Sequence, residues 1–269
     1  MLGKIWARSA SDAGKVGRGL PAGELRAAGQ PLGVKTRELL LETLSPTRCA
    51  CCERPGALLC DMCRERMVRI DPAHACPHCG APFGELLCTE CHGEAGCVER
   101  CVAATVFEGP PAKIVRAYKV GGERRLASLI ARSMLQAVRE AEAVAPDRFA
   151  GMLSRADAVA FVPDTAEAFA RRGFDHMEAV ARAVAREAGA PYLDALAKRG
   201  RADQRRLGRA GRRLQAAGAY EVVAPVRGAR VLLLDDVLTT GATLNAAAAA
   251  LLRAGASRVD ALAFARVWG

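Results

Sequence analysis

The stretch from Val231 to Thr243, Val-Leu-Leu-Leu-Asp-Asp-Val-Leu-Thr-Thr-Gly-Ala-Thr, sets an apolar run, two adjacent carboxylates and a hydroxyl-rich turn in direct succession. Four consecutive apolar residues read as a strand covered on both faces, and the alanine-rich run from Thr243 to Ala254 reads as the helix that follows. The turn between them then sits at the carboxyl end of a parallel strand, where open α/β sheets bind ligands. Backbone N–H groups from Thr239 to Thr243, three threonine hydroxyls and the positive end of the helix dipole converge on it, and together they suit a phosphate monoester. Gly241 lets the backbone close tightly. Asp235 and Asp236 stand just upstream, at a reach suited to two vicinal sugar hydroxyls or to Mg²⁺ held through water. The plainer alternative is a strand, turn and helix whose acidic pair only caps the helix.

The same segment resembles the 5-phosphoribosyl 1-pyrophosphate (PRPP) signature of the type I phosphoribosyltransferases. An apolar strand, two acids, two apolar residues and Thr-Thr-Gly-x-Thr are all in place. The resemblance implies PRPP, with Mg²⁺, as the ligand of Asp235, Asp236, Thr239, Thr240, Gly241, Ala242 and Thr243. It names the phosphosugar and leaves the acceptor open.

At 269 residues and 51% hydrophobic content the chain is long enough for a full core and a small second unit. Aromatic residues make up only 4%, so aliphatic and alanine packing must fill that core. No apolar run reaches membrane-spanning length, and Lys4 and Arg8 are not followed by the apolar segment of a secretion signal, so a soluble cytoplasmic protein is expected. Charge is uneven: residues 1 to 48 carry +4, residues 49 to 101 carry −3, and residues 102 to 269 carry +9. A basic C-terminal part suits an anionic substrate.

Cysteines cluster before that basic part. Cys49-x-x-Cys52 precedes Cys60-x-x-Cys63, and Cys76-x-x-Cys79 precedes Cys88-x-x-Cys91. Each set offers four thiolates on two short knuckles, the sulfur-only set that Zn²⁺ takes in structural sites. Two structural zinc ions are expected, with no position open for water or substrate, and their role is to fold a segment too small for a core of its own; iron-sulfur binding or metal-free thiols are the alternatives. Pairing within each consecutive set is the simpler arrangement, with crossed pairing the alternative. Cys51 lies inside the first knuckle as a competing ligand, whereas Cys97 and Cys101 are expected at the junction with the next domain. His74, His78 and His92 sit near these ligands and are expected to be solvated loop residues, with substitution for one ligand the alternative.

These boundaries give a flexible extension over 1–35, a double zinc ribbon over 36–101 and an α/β domain over 102–269. A short helix is expected from about Thr36, carrying Leu39, Leu40, Leu41 and Leu44. In the α/β domain the pattern predicts strands near Cys101 to Phe107, Ala158 to Val162, Tyr220 to Val223, the signature run and Val259 to Ala265. Helices are predicted after Pro110 and Pro111, from about Arg124 to Ala143, and from Asp175 to Ala188. The alternation argues for a parallel sheet flanked by helices.

Two further segments carry chemistry. Val162-Pro163-Asp164 ends a strand, and Arg171-Arg172-Gly173-Phe174-Asp175 follows, so the arginine pair is either a pyrophosphate contact or a solvated helix face. Lys198 to Arg213 carries eight basic residues and one acidic, +7 over sixteen residues. It reads as a loop closing over a phosphate-rich substrate or as a nucleic-acid contact, single-stranded DNA above all.

In their order along the chain, the four-cysteine pairs, Arg172-Gly173-Phe174, the Gln204, Leu207 and Arg212 spacing, Gly218-Ala219-Tyr220 and the terminal signature resemble the ComF family. The resemblance covers about residues 36 to 269. It implies a double zinc ribbon followed by a type I phosphoribosyltransferase domain, in proteins some of which are linked to competence and DNA uptake. The chain departs from the family pattern at Asp175-His176, where Asn-Gln is usual, at Gln215, where an Asn is expected, and at Pro163-Asp164, where Pro-x-Pro is usual. The function so implied is a Mg²⁺-dependent phosphoribosyltransferase, a pentosyl-transferring glycosyltransferase. Asp235, Asp236, Arg171 and Arg172 would do the chemistry, with Lys119 beside the pyrophosphate. The alternative is a non-catalytic module of DNA uptake or recombination that senses PRPP or nucleotide, contacts DNA through Lys198 to Arg213 and docks protein partners on its ribbons.

Overall fold

Strand β1 (Cys101–Val106), β2 (Ala158–Phe161), β5 (Arg230–Leu238) and β6 (Arg258–Arg266) form one parallel sheet in the order β1-β6-β5-β2. Their side chains alternate between two buried faces, as the apolar runs require. Leu232 and Leu234 of β5 join one core, Val231 and Leu233 the other. A short helix α1 (Asp61–Glu65) lies in the first cysteine set, and further helices make the two covering layers. The first core lies under α2 (Pro110–Lys119), α3 (Leu126–Val144), α4 (Pro146–Phe149) and α6 (His176–Ala188). Along α3, Leu126, Ile130, Met134, Val138 and Ala141 are buried at helical spacing. The second core lies under α7 (Ala242–Arg253), whose Ala247 and Ala248 pack with Ala261 and Ala263 of β6. Small residues on both sides let this helix lie close to the sheet.

The structure, a computed structural model, describes residues 46–82, 88, 91, 96–198 and 218–268, all within the unit Pro46–Gly269. The extension over 1–35, the expected helix near Thr36, His92, Gln204, Leu207, Arg212, Gln215 and the basic stretch beyond Lys198 lie outside the described residues.

One element differs from the sequence expectation, and another takes the helical one of its two alternatives. Tyr220–Val222 (β4) does not enter the parallel sheet but pairs antiparallel with Leu196–Lys198 (β3). The segment holding the arginine pair is a helix of its own, α5 (Ala166–Arg172), capped by the Thr165 side chain and closed by Gly173 at φ 72°.

The cysteine-bearing segment is bonded onto the open edge of β1. Ile70 N–H donates to the Ala104 carbonyl at 3.2 Å and Val106 N–H to the Val68 carbonyl at 2.9 Å, so the chain between the two quartets extends the sheet. Cys101 N–H donates to the Pro77 carbonyl in the second knuckle at 2.7 Å. A 3-10 turn (Pro72–His74) follows that edge, and Arg148 of α4 donates to the carbonyls of Pro72, Ala73 and Ala75. Among the described residues no helix is long and apolar enough to cross a membrane.

Candidate functional site

The carboxyl ends of the strands bring the signature residues to one edge. Strand β5 runs through both aspartates to Leu238, and after Thr239 and Thr240 the chain turns at Gly241 (φ 72°) into α7. Gly241 caps that helix without a side-chain bond, and Thr239, Thr240, Ala242 and Thr243 are exposed. The turn therefore offers hydroxyls and helix-terminal N–H groups to solvent, the donor set an anion takes. Arg266, at the end of β6, is buried and donates to the Thr239 carbonyl, which fixes the turn from the sheet side.

The two aspartates are not equivalent. Asp236 is 3% exposed, and its Oδ2 receives Lys119 Nζ at 2.5 Å and His176 Nε2 at 2.9 Å. Burial works against its charge, yet the His176 bond and Lys119 outweigh it and lower its pKa to about 2. Asp235 is half-buried, and one oxygen accepts the Asp236 N–H at 2.9 Å. Its burial and the adjacent Asp236 charge push it up, to about 7. Asp235 is thus the more accessible carboxylate, and Asp236 keeps Oδ1 after its partners take Oδ2.

His176 joins this edge to the end of β2. It is 4% exposed, with Nδ1 2.7 Å from Asp164 Oδ2 and Nε2 2.9 Å from Asp236 Oδ2. A neutral ring carries one N–H and would aim its bare nitrogen at a carboxylate oxygen, so this geometry calls for the imidazolium. Burial lowers the histidine pKa, but the bonds to Asp164 and Asp236 prevail and raise it to about 9, against the opposing charge of Lys119. Arg172 Nη1 reaches the same Asp164 oxygen at 2.5 Å. Burial opposes ionisation of Asp164, and the bonds from His176 and Arg172 nonetheless hold it well below the usual carboxylate range. Tyr118 donates its hydroxyl to the His176 carbonyl, and Asp175 accepts the Asp164 N–H at 2.8 Å while capping α6 through Met177 N–H. Charges along Arg172, Asp164, His176, Asp236 and Lys119 alternate in sign, which is how a row of buried ions is tolerated.

Sequence-selected residues therefore divide. Asp235, Asp236, Lys119, Arg172 and the Thr239 to Thr243 turn come together through this network and the β5 to α7 connection. Arg171 is exposed, and among the described residues no hydrogen bond or ion pair ties it to them. Asp164 and His176 were legible only as departures from a pattern, and Tyr118, Arg266 and Asn245 were missed. Asp164, Asp175 and His176 lie close enough to suggest a metal trio, but their mutual bonds and Arg172 already satisfy them. A groove of about 720 Å³ between α3 and α6, lined by Leu135, Arg139 and Glu187 among others, contains none of the signature residues.

The cysteines form two sets, Cys49, Cys52, Cys60 and Cys63, and Cys76, Cys79, Cys88 and Cys91, each with its sulfurs within 4.8 Å of one another. Both repeat one geometry. The third cysteine's N–H faces the first sulfur, at 3.5 Å for Cys60 to Cys49 and 3.4 Å for Cys88 to Cys76. The second and third sulfurs are 3.6 Å apart in each set. Corners of a sulfur tetrahedron about 2.3 Å from a zinc ion are separated by about 3.8 Å, so both sets fit that ion. Donation from Cys79 brings Cys76 down to about 4 and drives Cys79 far up. The second set thus yields its first proton readily, and a divalent cation relieves the cost of the rest. Cys51 is no ligand: it is buried, its thiol donates to the Pro110 carbonyl at 3.6 Å, and burial pushes its pKa to about 11. Cys97 packs against the second core and Cys101 begins β1 within it, while His74 and His78 stand outside both sets.

This fold and edge define a phosphoribosyltransferase-type α/β protein, and residues 170–267 match the family model for the phosphoribosyl transferase domain. A DNA utilization protein (YhgH) of Salmonella typhi is 30% identical over 223 residues, covering 80% of this chain and 95% of that protein. Its counterpart in Escherichia coli K12 is 29% identical over the same shares. The chain belongs to the ComF family, with a four-cysteine double ribbon ahead of its phosphoribosyltransferase domain. A solved structure of the allosteric regulatory enzyme of purine biosynthesis overlaps 42% of this chain and 23% of that one at 26% identity. Its TM-score of 0.31 is too low to bear on fold or function.

Proposed function

We propose that the chain binds PRPP with Mg²⁺ at the carboxyl edge of the sheet and exchanges its pyrophosphate for an acceptor. The observation that carries this reading is the open turn from Thr239 to Thr243 following directly on the accessible Asp235. In this reading the turn takes the 5-phosphate, and Asp235 with the remaining oxygen of Asp236 takes the ribose hydroxyls. Breaking the bond from C1 to pyrophosphate leaves positive charge on the ribosyl ring as in glycosyl transfer, and the acceptor's lone pair completes the exchange. Lys119, released from Asp236, and Arg171 would neutralise the departing pyrophosphate, while Arg172 holds Asp164. Catalysis then comes from positioning and charge rather than a strong base. Zn²⁺ in both cysteine sets would be structural, since four thiolates leave it no open position.

Calorimetric titration with PRPP, with and without Mg²⁺, tests this alongside a pyrophosphate-release assay over a panel of nucleobases and amines. Tight Mg²⁺-dependent binding with acceptor-stimulated release is expected. The variant carrying Asp235→Asn and Asp236→Asn together should show no measurable binding, and unchanged affinity would refute the assignment.

A second reading is favoured by the DNA utilization proteins among the relatives and by the basic stretch from Lys198. In it the fold senses PRPP or nucleotide without turnover and the basic stretch holds single-stranded DNA during uptake. PRPP binding without release, together with steeply salt-dependent DNA affinity lost on neutralising that stretch, is its expected signature.

A further inference from the structure

In the run from Leu244 to Leu252 at the heart of α7, Asn245 is the lone polar residue. Its side chain faces two ways. Oδ1 accepts the N–H groups of Cys97 at 2.9 Å and Val98 at 3.4 Å, and Nδ2 donates to the Gly241 carbonyl at 3.2 Å. Reversing the amide would set its NH₂ against two donors, so both contacts fix one orientation. Packing is close as well: a Cβ at Gly96 would lie 3.0 Å from Asn245 Oδ1. Gly96 follows Cys91, the last thiol of the second set, by five residues. Beyond Val98 the chain is pinned to β6 by Glu99 N–H to the Val259 carbonyl at 2.9 Å. One amide thus bridges the exit of the second cysteine set and the glycine that shapes the phosphate turn.

We propose that Asn245 is a positioning residue that couples metal in the second cysteine set to phosphate in the Thr239 to Thr243 turn, so that each tightens the other. The coupling rests on the PRPP site proposed above. Coupling between two ligands is reciprocal: the factor by which PRPP raises zinc affinity is the factor by which zinc raises PRPP affinity. The amide bonds directly to Cys97 and Val98, the residues that leave the second set, and to Gly241 of the turn.

The test uses the full zinc-loaded chain and the variants Asn245→Ala and Asn245→Asp. Zinc affinity is measured by competition with a chelating dye, with and without PRPP, and amide hydrogen exchange is followed at Cys97, Val98 and Asn245. In the wild type PRPP should raise zinc affinity about 5-fold or more and slow exchange at Cys97 and Val98. In Asn245→Ala both responses should vanish while β6 amides remain protected. Asn245→Asp keeps the acceptor and loses the donor, so it should hold Cys97 and Val98 protected yet insensitive to PRPP. A full PRPP response in either variant overturns the proposal. If PRPP fails to bind the wild type, the functional reading falls, and the coupling is then read from the metal side. Chelation should speed exchange at Asn245, whose N–H is bonded to Gly241, in the wild type and not in Asn245→Asp, and equal acceleration in both would overturn it.

Discussion

Asp235 and Asp236 are adjacent in sequence and look interchangeable, yet the fold gives them different tasks. The difference is made by His176, sixty residues earlier, whose ring spans from Asp164 at the end of β2 to Asp236 at the end of β5. Nothing in the local sequence announces that role, because it arises only when two strand ends and the start of α6 converge. The signature itself was legible because its donors and carboxylates are contiguous. His176 has its pKa raised from 6.5 to about 9, so its contribution to stability is complete below about pH 6.5 and lost as pH rises through about 9. That shift corresponds to about 3 kcal/mol. A Gln at this position cannot ionise. The stability gap between wild type and His176→Gln, measured by urea unfolding, should therefore be largest near pH 6 and shrink between pH 6.5 and 9. A gap constant across that window would mean the ring's pKa is not raised in the fold. Asp235 shifts in the opposite sense to Asp236, so if its carboxylate accepts ribose hydroxyls, PRPP affinity should rise as pH rises through its elevated pKa.

At the scale of elements, long apolar or amphipathic runs were read nearly to the residue, as with Arg258–Arg266 and Leu126–Val144. Short ones were placed nearly as well, but not always with the right partner. Three residues at Tyr220–Val222 have strand character but too few contacts to declare a partner, and alternate exposure at Glu221 suits the antiparallel ribbon they form with β3. α5 was legible only as one of two alternatives for the arginine pair, because its seven residues hold little apolar surface and its one buried member is Ala168. The start of α6 shows how one side chain sets an element against the sheet. Asp175 Oδ1 caps the helix through Met177 N–H at 2.9 Å, and Oδ2 holds Asp164 N–H at 2.8 Å. Losing both should cost about 2 kcal/mol, from the cap and from a buried donor left unsatisfied. For a chain of this size Asp175→Ala should then melt about 4–8 °C lower. Asp175→Asn, which retains the accepting oxygen for the cap, should recover roughly half of that loss.

For the whole molecule the question is whether the cysteine sets form a detachable tag or part of one cooperative body. Cysteine spacing alone disclosed the ligands and favoured consecutive pairing over crossed pairing, and the structure brings the sulfurs of each consecutive set together. Spacing could not disclose attachment, which depends on backbone bonds from Ile70, Val106 and Cys101 and on side chains remote in sequence. Lys113 of α2 adds another, donating to the Cys51 carbonyl at 2.9 Å inside the first knuckle. The same helix ends at Lys119, whose ammonium pairs with Asp236, so the first knuckle bears on one side of the crevice as the second bears on the other. Thiolate-only zinc sites contribute folding energy outright. If the bonds to β1, α2 and α7 transmit it, chelation should lower the melting temperature of a single transition by about 10 °C, the shift expected for about 3 kcal/mol at this size. Tryptophan fluorescence, to which Trp268 beyond the end of β6 contributes, and absorbance of a zinc-bound dye should then change together. Release of zinc well below an unshifted melting transition would instead mark the cysteine sets as independent of the sheet, because a body whose parts share hydrogen bonds cannot lose one of them without weakening the rest.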